Sequence, residues 1–386
     1  MNEKILIIGP FGNNGGRELE GSFIAKTLSQ FYNVELFTTG NYYEKSEVTS
    51  FCKNISFNGV NKLLYDSNLL INILIKVLSF FKRNNLPNHF RTGNKYLKKH
   101  FKIEKLKKSI LEEKIKENNI IFICAQLSSS YMKDIINIAK FYNKKILFRT
   151  TGTIKERTFE DFEFLKKVDI FIHHSLNNVN NFEKFYYKHT YKIIDQCSFI
   201  EKKLLRNSPK KGRIKKFLVL SRLSEEKGIE NVIESFNCCT NKELLLICGD
   251  GVLEKKLKLK AKNNPRIIFK GFVSQDELPD VFKEIDCLII SSTEEAGPIT
   301  GIEAMASGAL IISTRVGAMK ERLDKDCFWY DGSLKDLEKK IIETKNLDII
   351  KVNELSISIK NRYLNYNSKD IISGKYLDIL DEAVKY

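Results

Sequence analysis

What the sequence has little of narrows it first. Zinc ribbons and disulfide scaffolds need paired cysteines, yet the eight here include no C-x2-C pair. Cys238 and Cys239 are adjacent, and Cys52, Cys124, Cys197, Cys248, Cys287 and Cys327 are scattered, several within apolar strands. They are expected to be reduced core thiols. Five histidines, two of them consecutive at His173 and His174, cannot build a metal site by themselves. No apolar run reaches the roughly 18 to 20 residues of a membrane span. The opening MNEKILIIGP reads as a strand and not a secretory leader, which makes a cytoplasmic protein the expectation. Repeats and low-complexity segments are missing too. What is left, 386 residues of which 42% are hydrophobic and 29% charged, is enough chain for two or three domains with ample core.

Acidic residues are also in deficit. Net charge is +16, and residues 60–111 hold twelve Lys or Arg against Asp66 and Glu104, supplying +10 of that total. Such a patch selects an anionic partner. Within it LLINILIKVLSFFKR (Leu69 to Arg83) is apolar nearly all round, and YLKKHFKIEKLKK (Tyr96 to Lys108) interleaves aromatic, aliphatic and basic residues. That composition suits a helix lying in the plane of an anionic membrane, so peripheral contact through residues 60–111 is expected. The alternative is a buried helix over residues 69–81 whose neighbour is merely solvated by lysines. Nucleic acid is not expected, because no aromatic platform or nucleic-acid fold accompanies the charge.

The most demanding stretch is SSTEEAGPITGIEAMASG, from Ser291 to Gly308. A buried strand, DCLIIS, runs into a loop with two adjacent acids, then Gly297-Pro298, then a helix beginning near Gly301. In an open parallel sheet ligands bind beyond the carboxyl ends of the strands, and the free N–H groups of a helix N-terminus favour phosphate. Glu295 and Glu303 put carboxylates beside that anion site, which is costly for phosphate alone and sensible if hydroxyls must also be held. A ligand carrying both is a nucleotide sugar. The plainer reading is an ordinary loop and helix, with Glu303 in solvent and Gly308 as a C-cap.

Glu295, Glu303-Ala304-Met305-Ala306 and Gly308 closely resemble the signature of the retaining glycosyltransferases of family 4, the group 1 glycosyltransferases: two glutamates at this spacing followed by EAMA-x-G. The resemblance implies an α/β GT-B fold, two Rossmann-like doubly wound domains facing across a cleft. It implies sugar transfer from a nucleoside-diphosphate donor with retention of configuration, and no essential metal or other cofactor. Glu303 would bind the ribose hydroxyls, Glu295 would orient the donor sugar near its anomeric carbon, and the backbone of Gly297, Pro298, Ile299 and Thr300 would hold phosphate or sugar.

Other strand ends fit this pattern. Arg222-Leu223-Ser224-Glu225-Glu226-Lys227-Gly228 resembles the family's G-R-L-x3-K-G with Ser221 replacing the first glycine, so Arg222 and Lys227 would neutralise the diphosphate as the glycosidic bond breaks. Either alone could be an ordinary surface cation. Gly249-Asp250-Gly251 would let a nucleotide lie against the backbone, and Gly271-Phe272-Val273 sits where the family holds the base through its main chain, making Phe272 and Val273 donor-site candidates. Asp324-Lys325-Asp326 has the D-x-D form of metal-dependent transferases of the other major fold and is read as a surface turn, past the donor loops.

In the first half, strand KILIIG leads into glycine-rich PFGNNGG and a helix with Leu19, Phe23, Ala25, Leu28 and Phe31 at helical intervals. Gly9, Gly12 and Gly15 also fit a dinucleotide fingerprint, but Phe37-Thr38-Thr39-Gly40 offers no acid for a ribose and no Tyr-x3-Lys follows. In the glycosyltransferase reading Gly15 and Gly16 let the backbone approach donor phosphates or acceptor. Many family members place a histidine just after the strand matching KILFR. Here Thr150-Thr151-Gly152 stands there, leaving Arg149, Thr151, His173 or His174 as alternatives on the acceptor side.

Regular β-α alternation in both halves predicts two doubly wound sheets, with a lysine-rich linker around residues 196–216. The expected domains are 1–200 for the acceptor and 201–366 for the donor, with a C-terminal helix in 367–386 packing back on the first. Ser274-Gln275-Asp276-Glu277 reads as a capping box starting a helix at Gln275. The expected function is sugar transfer to a saccharide or lipid-linked saccharide in bacterial envelope synthesis, at the inner face of the plasma membrane. The alternatives are a catalytically inactive nucleotide-sugar binding protein and an NAD-dependent sugar-modifying enzyme.

Overall fold

The computed structural model describes residues 3–81, 86–154 and 162–385. The chain divides into two compact units. One comprises residues 1–173, 179–194 and 373–386, and the other 174–178 and 195–372. The boundary thus falls at 194/195 instead of 200, and the second unit runs to 372 instead of 366.

The first unit holds a seven-stranded parallel sheet of order β3-β2-β1-β4-β5-β6-β7. Its strands are Lys4–Gly9 (β1), Asn33–Thr38 (β2), Ser56–Gly59 (β3), Ile120–Ala125 (β4), Lys145–Thr150 (β5), Ile170–His173 (β6) and Tyr191–Ile193 (β7). β4 is buried at every residue, which is why it reads as an unbroken apolar run and not as an alternation: helices cover both faces of such a sheet. The second unit holds a six-stranded parallel sheet of order β10-β9-β8-β11-β12-β13. These strands are Lys216–Leu220 (β8), Leu244–Cys248 (β9), Ile267–Gly271 (β10), Cys287–Ile290 (β11), Leu310–Ser313 (β12) and Phe328–Trp329 (β13). Strand order reverses between β8 and β11, so the loops leaving those two strands flank a crevice at their carboxyl ends.

Helix starts differ locally from expectation. The capping box at Ser274 forms, with its N–H and Oγ donating to Glu277 Oε2 at 2.9 and 2.6 Å, but the helix is Leu278–Glu284. A helix begun at Gln275 would need Pro279 to donate a hydrogen bond from an N–H it lacks. Pro279 therefore sits in the first turn, where no such bond is required. The helix of the acid-rich stretch, Ile299–Ser307, begins two residues earlier than expected and ends on Gly308 in the left-handed region at φ 75°. The final helix, Lys369–Lys385, belongs to the first unit from residue 373 on. There Tyr32 donates to Asp381 at 2.7 Å and Thr27 Oγ1 lies 3.2 Å from Ser373 Oγ.

The described residues of 60–81 and 86–116 build a satellite of the first unit with its own small core of Leu64, Ile71, Ile75, Leu97 and Ile103. The helix Leu69–Phe81 turns only one face to that core, because Leu69, Leu70, Ile73, Val77 and Phe80 are exposed. It is not the buried helix of the plainer reading. Lys82 and Arg83, which complete the sequence stretch, lie outside the described residues.

Candidate active site

The donor-side residues converge because two loops of the second unit are pressed together. Gly228, at φ 63°, approaches β11 so closely that a Cβ there would lie 2.3 Å from the Ser291 carbonyl oxygen. Ser291 Oγ donates to the Lys227 carbonyl at 2.6 Å, and the Thr293 N–H donates to the Glu226 carbonyl at 2.8 Å. This zipper carries Lys227 to Glu295, sixty-eight residues away in sequence, where Nζ pairs with Oε1. Ser292 Oγ donates to the same Oε1 at 3.2 Å. Lys227, Ser221, Ser292, Glu295, Pro298 and Thr300 line one narrow pocket at the β8/β11 crevice. Ser292 was not singled out from sequence, although it stands three residues before Glu295 in the same loop.

Glu303 lies on the helix Ile299–Ser307 and is only 4% exposed, so the reading that left it in solvent is overturned. Burial alone pushes its carboxyl up to about 8. No hydrogen-bond partner serves it among the described residues, so its carboxyl oxygens are left to accept from a ligand.

The remaining donor candidates divide. Arg222 does not join Lys227 in the pocket: its side chain is 78% exposed and lies 3.6 Å from Glu226. At Gly249 and Gly251 the space of a Cβ is taken by the carbonyls of Ser221 and Leu223, at 1.9 and 2.5 Å. These glycines let the loop after β9 pack on the loop after β8, a role that precedes any nucleotide. Phe272 is exposed at the end of β10, while Val273 packs against the core. Asp324–Asp326 forms a single 3-10 turn, with Asp326 accepting from Ser358 Oγ at 3.0 Å.

In the first unit, Arg149 is corrected from acceptor contact to buried framework. It is fully buried; Nε and Nη2 donate to Glu20 Oε1 at 2.9 and 2.6 Å, and Nη1 donates to the Ile194 carbonyl at 2.6 Å. No guanidinium nitrogen is left to meet a substrate. His173 is likewise internal, sharing hydrogen bonds with Thr150 Oγ1 at 2.9 Å and His189 Nε2 at 2.8 Å, and burial pushes it down to about 3. His174 is buried too. Thr151, at the end of β5, accepts from Arg17 Nε at 3.2 Å, so a guanidinium absent from the sequence reading stands beside it.

The glycine-rich loop also departs from expectation. The Gly15 N–H donates to Glu47 Oε2 at 2.8 Å and the Gly12 N–H to Glu18 Oε1 at 2.7 Å. Two carboxylates thus occupy amides that a pyrophosphate would need, which argues against both donor phosphate at Gly15 and the dinucleotide alternative. Gly16 is exposed, with open space where a Cβ would stand.

The family model described as glycosyl transferases group 1 matches residues 201–360, the part that contains Lys227, Glu295 and Glu303. Alpha-monoglucosyldiacylglycerol synthase of Streptococcus pneumoniae is 34% identical over 105 residues, 26% of this chain and 24% of that protein. The chain therefore spans about a quarter of the length of that curated relative. Among solved structures, the lipopolysaccharide outer core galactosyltransferase WaaB, apo form, aligns at TM-score 0.69 with 16% identity over 99% of each chain. Anabaena Alr3699/HepE in complex with UDP aligns at TM-score 0.70 with 14% identity over 98% of this chain and 100% of that one. The chain has the GT-B fold, and its residues 201–360 match the group 1 glycosyltransferase family model.

Proposed function

We propose that this chain transfers a hexose from a nucleoside-diphosphate sugar to a saccharide or lipid-linked saccharide, with retention of anomeric configuration. The observation that carries the reading is Glu303: a buried carboxyl lacking donors, on the helix that follows the pocket loop. Ribose hydroxyls supply what it lacks, and the solved HepE complex with UDP supports a nucleotide in such a fold. Lys227 then meets the diphosphate, where negative charge grows as the glycosidic bond breaks. Glu295 is held by Lys227 and Ser292, so it orients the sugar and is not a free nucleophile. The acceptor oxygen bonds to the anomeric carbon on the face the phosphate leaves, and the departing phosphate oxygen takes the acceptor proton. No metal is needed for this charge balance.

The partner of the satellite is an anionic membrane. At 100° per residue, Leu69, Leu70, Ile73, Val77 and Phe80 fall within an arc of about 100°, opposite the buried Ile71 and Ile75. No single described helix is long and apolar enough to cross a membrane, and a helix with one apolar face suits the interface. The helix Lys95–His100 packs Leu97 into the same satellite core and exposes Lys95, Lys98 and Lys99, which suit anionic headgroups. A lipid-linked acceptor, in bacterial envelope polysaccharide or oligosaccharide assembly, is the substrate such a surface favours.

The test is the anomeric coupling constant of the first product by proton NMR. A product with the donor's configuration supports the reading; an inverted product refutes the mechanism. Donor binding with no product from any acceptor supports the non-catalytic alternative.

A further inference from the structure

The Gly297-Pro298 turn of the pocket loop is held from behind by a residue that has no place in the reaction above. Arg322, on the short helix Met319–Leu323, is 3% exposed. Its guanidinium forks onto Asp195, Nε to Oδ2 at 2.8 Å and Nη2 to Oδ1 at 2.6 Å, while Nη1 donates to the Pro298 carbonyl at 2.7 Å. Gly297 presses on the same group, since a Cβ there would stand 2.8 Å from Nη2. A second clamp lies one turn earlier: the Ala318 N–H donates to the Ala296 carbonyl at 3.0 Å.

Both loop carbonyls are thereby turned toward residues 318–322. A trans peptide sets its N–H opposite its carbonyl, so fixing the Pro298 oxygen also fixes where the Ile299 N–H points. That N–H opens the helix Ile299–Ser307, beside the pocket wall made by Pro298 and Thr300.

Asp195 has a second tie. It is where the chain re-enters the second unit after residues 174–178, and Asn367, five residues before the chain finally leaves it at 372, donates through Nδ2 to Asp195 Oδ2 at 2.9 Å and to the Gln196 carbonyl at 3.0 Å. Asn367 is itself 3% exposed. One carboxylate thus joins the crossings at 194/195 and 372/373 to the guanidinium that holds the pocket loop.

We propose that Arg322 is a positioning residue that couples the donor loop to the chain crossings at 194/195 and 372/373 through Asp195 and Asn367. A donor held at the Ile299 and Thr300 amides restrains the loop, and the rigid fork of an arginine passes that restraint to residues 195–198 and 366–372. Lysine keeps the charge but not the fork. The inference rests on the nucleotide-sugar reading, and by linkage a change at the crossings must alter donor affinity by the same factor.

Hydrogen exchange of the full chain, with and without UDP, and with GDP and ADP in parallel, tests it. In the wild type, the diphosphate that binds should slow exchange at 299–301 and also at 196–198 and 367–372. Asn367→Ala should lose the last protection and keep the first two. Arg322→Lys should lose both crossing protections and raise the donor KM about tenfold, with kcat changed less than KM. A merely structural arginine would instead lower the melting temperature and leave KM and the exchange pattern alone. Protection at 299–301 with none at the crossings, or crossing protection that survives in Arg322→Lys, overturns the coupling while leaving the donor reading intact. Absence of protection at 299–301 with all three diphosphates overturns both.

Discussion

Replacing Glu303 by glutamine sets the stability of the donor site against its use. The folded-state value of about 8 stands above the ordinary 4.5 because burial disfavours the charged form. The folded protein therefore binds an extra proton between those values, and stability is lost as pH rises from the lower toward the higher. At 1.36 kcal/mol per unit, the loss reaches at most about 3 kcal/mol at pH 7 and levels off near 5 kcal/mol above pH 8. Glutamine carries no such charge. Glu303→Gln should match the wild type in thermal melts near pH 4.5 and gain on it steadily up to pH 8. Donor binding should move the other way: the carboxylate is the form that accepts two ribose hydroxyls, so wild-type affinity should rise toward pH 8 while the variant stays weak and flat. Calorimetric titration of UDP from pH 6 to 9 reads this. A melting-temperature difference that does not change with pH, or equal nucleotide affinity in both proteins, would refute the assignment.

Three other outcomes follow from the same coordinates. Arg222→Ala should leave the melting temperature essentially unchanged, since the side chain is exposed, yet lower turnover by about 3 kcal/mol of transition-state stabilisation if the arginine swings onto the diphosphate; unchanged kcat/KM would remove it from the site. Arg149→Met should cost about 3 to 5 kcal/mol in chemical denaturation by stranding Glu20, and a variant that is equally stable but dead in transfer would restore Arg149 to the acceptor side. Leu70→Ser with Phe80→Ser should reduce co-sedimentation with vesicles containing anionic lipid by about tenfold or more, given roughly 1.5–3 kcal/mol per buried side chain, without altering donor hydrolysis in solution; undiminished vesicle binding would refute the membrane face.

The sheets were legible because strands such as IIFICA and LLLIC are covered on both faces and so spell themselves as apolar runs. Glu295, Glu303 and Lys227 were legible as residue types at the ends of such strands. Their states were not, because they depend on what the fold sets beside them: Glu303 is shifted by burial alone, whereas Glu295 meets a lysine sixty-eight residues away. Arg149 misled for the same reason, since nothing near it in sequence announces that Glu20 waits across the sheet. The Leu69–Phe81 helix looked uniformly apolar, and only packing could say that one face is covered and the other exposed. Local chemistry also misplaced a helix start at Ser274, where the box formed but Pro279 dictated the start of the helix.

The most direct measurement is nucleoside diphosphate release from a panel of UDP-, GDP- and ADP-sugars, with EDTA present, by wild type and Glu303→Gln, each with and without membrane lipid extract. Release from one donor, increased by lipid and lost in the variant, is the result expected of a metal-independent transferase with its donor site on the helix after β11. Tight donor binding with no release from any sugar under any lipid, or release that Glu303→Gln leaves unchanged, would contradict it.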